Sequence, residues 1–241
     1  MSCGIHSGLL VLVNAEHPIR RRERPVLAPA APGSDVLLDT RAAAMLTGLI
    51  SRLGASGEIV PVSGWRSMRE QREIWDGSMA ENGTEFTRKY VALPGCSEHQ
   101  TGLAIDLALR SDNIDFIRPD FPYDGICGRF RALAADYGFI ERYQAGKEHI
   151  TGIAAEPWHF RYVGRPHARL MSDNGLCLEE YVELLRSYPY PERLLETRGG
   201  VYEADVGFAF AKSKLELPDA PYQISGNNVD GYIYTLWRKP A

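Results

Sequence analysis

Apolar residues recur at Ala42, Met45, Leu46, Leu49, Ile50 and Leu53, the three-to-four spacing of one helix face. The pattern predicts an amphipathic helix over residues 39–53, opened by Asp39 or Thr40 as N-cap and stopped by Gly54. Met68, Gln71, Ile74, Trp75 and Met79 carry the same period into a second helix. Ser67 with Glu70 three residues on is a capping-box pair for its start. Two further helical stretches are expected over 128–139 (GRFRALAADYGF) and 177–188 (CLEEYVELLRSY).

Elsewhere the period drops to two. In GLAIDLAL, Leu103, Ile105, Leu107 and Leu109 share one face, while Ala104, Asp106 and Ala108 share the other. EIVPVSGWRS is a short β-rich run that leaves Arg66 at a strand-to-helix junction. GLLVLV, residues 8–13, predicts a buried strand, being too short for a membrane span or a signal-peptide core. Residues 14–35 hold four prolines and predict an extended surface connection. Residues 150–164 predict strand, turn and strand. Beyond about residue 190, VYEADVGFAF and YQISGNNVDGYIYTLWR are β-rich, with turn chemistry between Gly226 and Gly231. These elements predict an α+β fold with a small, mainly antiparallel sheet flanked by helices and a C-terminal β appendage. The expected division is a main domain over 1–189 and a small β-rich extension over 190–241.

Composition adds little. Hydrophobic residues at 44%, charged residues at 24% and a net charge of -4 describe an ordinary globular chain. There is no basic excess of the kind that favours nucleic acid or an anionic membrane surface. Cys3, Cys96, Cys127 and Cys177 form no C-x-x-C pair, which predicts free thiols and, with no export signal, a cytoplasmic setting.

Chemistry enters at GCSEHQTGLAIDL, where His99 and Asp106 lie seven positions apart, one at the mouth of an apolar run and one inside it. Alone, each has a bland explanation, since a single histidine or strand aspartate is ordinarily hydrogen-bonded or solvated. A catalytic zinc site takes three protein ligands and keeps an open position, so a third donor is needed. EPWHFRYVG offers Glu156 and His159. A His, Asp, His triad would leave Glu156 free as a base, provided that Pro157 breaks the strand pleat so that both side chains reach one point.

SEHQTGLAID followed some fifty residues later by EPWHFRYVG resembles the zinc D-Ala-D-Ala carboxypeptidase and dipeptidase family, with its S-x-H-x-x-G-x-A-x-D and E-x-W-H motifs. SGWRS upstream and the opening LVNAEHPI extend the resemblance over roughly residues 8–188, closest in flavour to the bifunctional VanXY type. The resemblance implies a sheet carrying a Zn2+ site with His99, Asp106 and His159 as ligands. It also implies Glu156 as general acid/base, Arg66 as oxyanion stabiliser and Ser97 as a contact to the substrate's terminal carboxylate. The implied substrates are small peptides, D-Ala-D-Ala or a UDP-linked pentapeptide, with a part in glycopeptide resistance. Trp65 stands where relatives often carry Tyr.

Two rivals stand beside this expectation: an L,D-endopeptidase of the cell wall on the same fold, and a zinc-holding binding module without catalysis. Intact Glu156 and Arg66 argue against the second. Blander roles are expected elsewhere. His149 belongs in a polar loop, His167 on the surface or beside the ligands, and the RRRER run at 20–24 on a solvated face. Trp158 is expected as a packing wedge and Gly102 as an allowance for backbone near the metal. Residues 76–90 and 110–127 are expected as loops over the pocket.

Overall fold

The computed structural model of the protein describes residues 4–20, 24–199, 202–213 and 217–238. Strands β1 (Leu27–Pro29) and β2 (Leu37–Asp39) pair antiparallel and feed helix α1 (Thr40–Leu53). The Asp39 carboxylate accepts the Arg41 backbone N–H at the start of α1, and Gly54 closes it at φ 66°, the left-handed C-cap that glycine reaches without strain. Leu46 and Leu49 on its inner face are fully buried, each removed from water at a gain of about 1.5–3 kcal/mol.

After β3 (Ile59–Ser63) comes α2 (Met68–Tyr90), opened by the reciprocal Ser67 and Glu70 capping box. Gly83, at φ 79° and ψ 175°, breaks it into two segments. Residues 76–90 are therefore helical, not the expected loop. Strands β4 (Ala104–Leu109), β5 (Phe139–Glu141) and β6 (His159–Tyr162) complete the central antiparallel sheet, in the order β3-β4-β6-β5. Its register sets Asp106 opposite both Ser63 and His159.

Helix α3 (Gly125–Ala134) and a 3-10 turn, Ala135–Tyr137, precede β5, and the short helix α4 (Glu148–Thr151) follows it. The helix expected over 128–139 thus stops early, because Gly138 at φ 84° turns the chain and Phe139 joins the sheet. The first strand expected within 150–164 is also absent: Ile150 lies in α4, and β6 pairs with Phe139–Glu141 instead. Helices α5 (Arg165–Asn174), which has no counterpart in the sequence-based expectation, and α6 (Leu178–Leu185) pack beyond.

A second antiparallel sheet is built from β7 (Leu195–Gly199), β8 (Tyr202–Phe210), β9 (Tyr222–Gly226) and β10 (Gly231–Arg238), in the order β7-β8-β10-β9. Its Val206, Phe208 and Ile233 belong to the same buried cluster as Leu46, Ile105 and Phe160 of the main body. Between the two lies the 9–13 segment, buried as expected but not a strand. Side chains satisfy much of its backbone: Ser225 Oγ accepts the Leu10 N–H at 2.9 Å, and Asn228 Nδ2 donates to the Leu12 carbonyl at 2.8 Å. The expected α+β class holds, mainly antiparallel sheets with flanking helices. Residues 21–23 of the basic run, and Cys3, lie outside the described residues, while Cys96, Cys127 and Cys177 are free thiols.

Candidate active site

His99 sits on a 3-10 turn, Glu98–Thr101, between Ser97 and β4. Gly102 ends the turn at φ 76°, where a Cβ would come within 3.1 Å of the Asp39 amide nitrogen. Its smallness thus serves the approach of β2, a correction to the expectation that it clears space beside the metal. Asp106 occupies mid-β4, and His159 opens β6 directly across from it. All three side chains are buried, and their ligand atoms lie within 4.8 Å of one another.

Glu156 arrives by a tight turn. The His159 N–H donates to the Glu156 carbonyl at 3.1 Å, and Glu156 Oε2 lies 3.7 Å from His159 Nδ1. The two meet because Glu156 precedes the strand, not because Pro157 breaks a pleat within it.

The donor chemistry fits a cation. The Gly64 carbonyl can only accept, so His99 Nδ1 donates to it at 2.7 Å, and Gly64 must itself be glycine because a Cβ there would collide with the Leu37 carbonyl. Burial, with Arg66 adding, pushes His99 down to about 4, so the ring is neutral. Its Nε2 lone pair then faces Asp106 Oδ2 at 3.1 Å. Burial disfavours ionised Asp106, yet His99 and His159 hold it well below the carboxylate range. Burial also opposes charge on His159, but Asp106, 2.9 Å from its Nδ1, and the Glu98 carboxylate raise it to about 9. The cluster calls for one positive charge at its centre, and two imidazole nitrogens with a carboxylate are the borderline donors zinc favours.

Arg66 stands at the cleft with its guanidinium pinned three ways. Nε donates to Ser63 Oγ at 2.8 Å, Nη1 to Gln71 Oε1 at 3.3 Å and Nη2 to Asp106 Oδ2 at 3.0 Å. A guanidinium has five N–H donors, so two remain for a ligand. Ser97, Tyr143, Phe116 and Trp158 line the same cleft. Burial raises the Glu156 carboxyl to about 8, with Asp106 adding and His159 opposing, which leaves a group able to take and return a proton near neutral pH.

The structure brings Arg66, Ser97, His99, Asp106, Glu156 and His159 to one cleft. His149 is exposed on α4. His167 is buried away from the cleft, bonded to Tyr181 Oη at 2.8 Å and Thr235 Oγ1 at 2.9 Å, not on the surface or against the ligands. Three neighbours escaped sequence reasoning. Gln71 is a polar residue on an otherwise apolar helix face, Glu98 a charge between two buried motif positions, and Tyr143 carried no local signal at all.

A 3-10 turn and two antiparallel strands bring His99, Asp106 and His159 together beside a carboxyl and an arginine, a cluster that could hold a metal ion in a hydrolase. A family model for D-alanyl-D-alanine carboxypeptidase, VanY, matches residues 35–165. The bifunctional D-Ala-D-Ala dipeptidase and carboxypeptidase VanXYC of Enterococcus gallinarum is 42% identical over 179 residues, 73% of this chain and 94% of that one. The chain belongs to the VanY family of D-alanyl-D-alanine carboxypeptidases. The crystal structure of the vancomycin-resistance D,D-dipeptidase VanXYg with a D-Ala-D-Ala phosphinate analogue superposes with a TM-score of 0.93 at 48% identity, covering 97% of this chain and 95% of that one. A VanY D,D-pentapeptidase variant from a VanB-type cassette, in complex with Zn(II), gives 0.60 at 34% identity over 72% of this chain and 98% of that one.

Proposed function

We propose that this chain is a zinc-dependent D,D-peptidase that hydrolyses the bond between two D-alanines, in the free dipeptide, at the end of a UDP-linked pentapeptide, or in both. The observation that carries the reading is the convergence of His99, Asp106 and His159 within 4.8 Å, with Glu156 alongside. The likeness to VanXYg holds over 97% of the chain and supports it. His99 Nε2, an Asp106 oxygen and His159 Nδ1 would hold the ion. Bound there, it would polarise the scissile carbonyl and make a water acidic near neutral pH.

The remaining work belongs to the side chains. Glu156, protonated or ionised within reach of neutral pH, accepts the proton of the attacking water and returns it to the departing D-alanine amine. Arg66 turns its two uncommitted N–H groups to the oxyanion; Asp106, Ser63 and Gln71 have already fixed its plane, so little reorganisation is needed at reaction. Ser97, buried at the edge of the cleft, offers a hydroxyl to the terminal carboxylate. Trp158 and Phe116 narrow the cleft and limit water.

A role in removing the glycopeptide target follows from this activity, and a cytoplasmic setting fits the reduced thiols Cys96, Cys127 and Cys177. Incubating the purified protein with D-Ala-D-Ala and with UDP-linked pentapeptide, each with and without chelator, tests the reading. D-Alanine release from at least one substrate, lost on chelation and restored by zinc, is expected; release from neither refutes it.

A further inference from the structure

A buried ionic network lies immediately behind the cluster. The Glu98 side chain is wholly buried, and its Oε1 sits 2.8 Å from both Arg142 Nε and Arg161 Nη1. Arg142 also pairs with Glu179 of α6 at 2.7 Å, and Arg161 Nη2 donates to the Leu9 and Val11 carbonyls at 2.9 and 3.0 Å. Two guanidinium groups thus meet two carboxylates, and the network balances without a charge from the histidines.

One oxygen is left over. Among the described residues, Glu98 Oε2 has no hydrogen-bond partner, and neither has His159 Nε2, 3.8 Å away. A buried donor or acceptor left without a partner is costly, and each of these two atoms is the other's natural partner across the 3.8 Å gap. The opposite ring nitrogen, Nδ1, faces Asp106.

We propose that Glu98 is a positioning residue whose Oε2 accepts the Nε2–H of His159, fixing the tautomer that leaves the Nδ1 lone pair free for the metal. The inference deepens the metal-centre reading above and rests on it. The Glu98 side chain is wholly buried behind the ring. It acts through the ring, in the way carboxylates behind metal-binding histidines set ring orientation and basicity. Its anchors also give it a fixed reference, because Arg142 ties it to α6 and Arg161 ties it to the 9–13 segment clamped by the C-terminal sheet.

Zinc affinity, measured by competition with a chromophoric chelator in the full chain, is the test. Glu98→Leu is expected to weaken zinc about 100-fold and Glu98→Gln, which keeps an acceptor oxygen, about 10-fold. Glu179→Gln removes a charge from the same network without touching a histidine and should leave affinity unchanged. Wild-type affinity in Glu98→Leu overturns the proposal, as does equal weakening in Glu179→Gln, which would assign the effect to the network as a whole. Should Glu98→Leu fail to fold, imidazole nitrogen NMR of the zinc-loaded wild type decides: a proton on His159 Nε2 is expected, and its absence overturns the proposal. Lack of stoichiometric zinc in the wild type would instead sink the metal-centre reading, and this inference with it.

Discussion

The two four-stranded sheets share one plan. Both are antiparallel, and in both the strands run first, second, fourth, third in chain order. The central sheet nevertheless buries Asp106, His159 and Arg161, while β8 and β10 of the C-terminal sheet bury chiefly apolar and aromatic residues, Val206, Phe208, Ile233 and Tyr234. The connections make the difference. Between β3 and β4 the chain inserts Arg66, α2 and the 3-10 turn that carries Glu98 and His99; between β9 and β10 it inserts only residues 227–230. A sheet plan is compatible with chemistry or with plain packing, and the side chains that its inner strands and long connections bring together decide which.

Breaking the central sheet's chemistry should have the largest effect. Asp106→Ala is expected to reduce bound zinc to near zero by elemental analysis and D-alanine release to background, because it removes the one anionic donor of the cluster. Glu156→Gln should keep its zinc yet lose about a hundred- to ten-thousandfold in kcat, and metal content alongside turnover separates the two variants.

Variants at the junction with the C-terminal sheet should change stability and spare catalysis. Burial pushes His167 down to about 3, against an ordinary value of 6.5, so the unfolded chain takes up a proton first as pH falls. The neutral folded ring therefore contributes fully above pH 6.5, and stability is lost towards pH 3 at about 1.4 kcal/mol per pH unit. Denaturant titrations of wild type and His167→Gln across that window should show a flatter pH dependence in the variant. An equal slope would mean that the imidazole takes up its proton without unfolding. The smallest effect is expected for Thr235→Val, which removes one buried hydrogen bond to His167; a loss of about 1 kcal/mol with unchanged kcat is anticipated. A fall in kcat there would show that the two sheets are coupled functionally.

Sequence alone carried the amphipathic helix α1, the capped start of α2, the alternating strand β4 and the turn at Gly226–Gly231, because each is written in local periodicity or in residues that cap and turn their own neighbours. Its family resemblance also named Arg66, Ser97, His99, Asp106, Glu156 and His159 as candidates, and the fold brings all six to one cleft. Tertiary structure decided the rest. Whether 8–13 pairs as a strand depended on side chains more than two hundred positions away, Ser225 and Asn228, reaching its backbone first. That β6 pairs with 139–141 and not with 150–153 was a competition between segments that local pattern cannot rank. The identity of the partner behind His159 is likewise a matter of which buried charges remain after Arg142 and Arg161 are matched. Local pattern fixes which way a residue faces along its own element; what it meets there is set by pairing energies between distant elements, and those exist only once the chain has closed on itself.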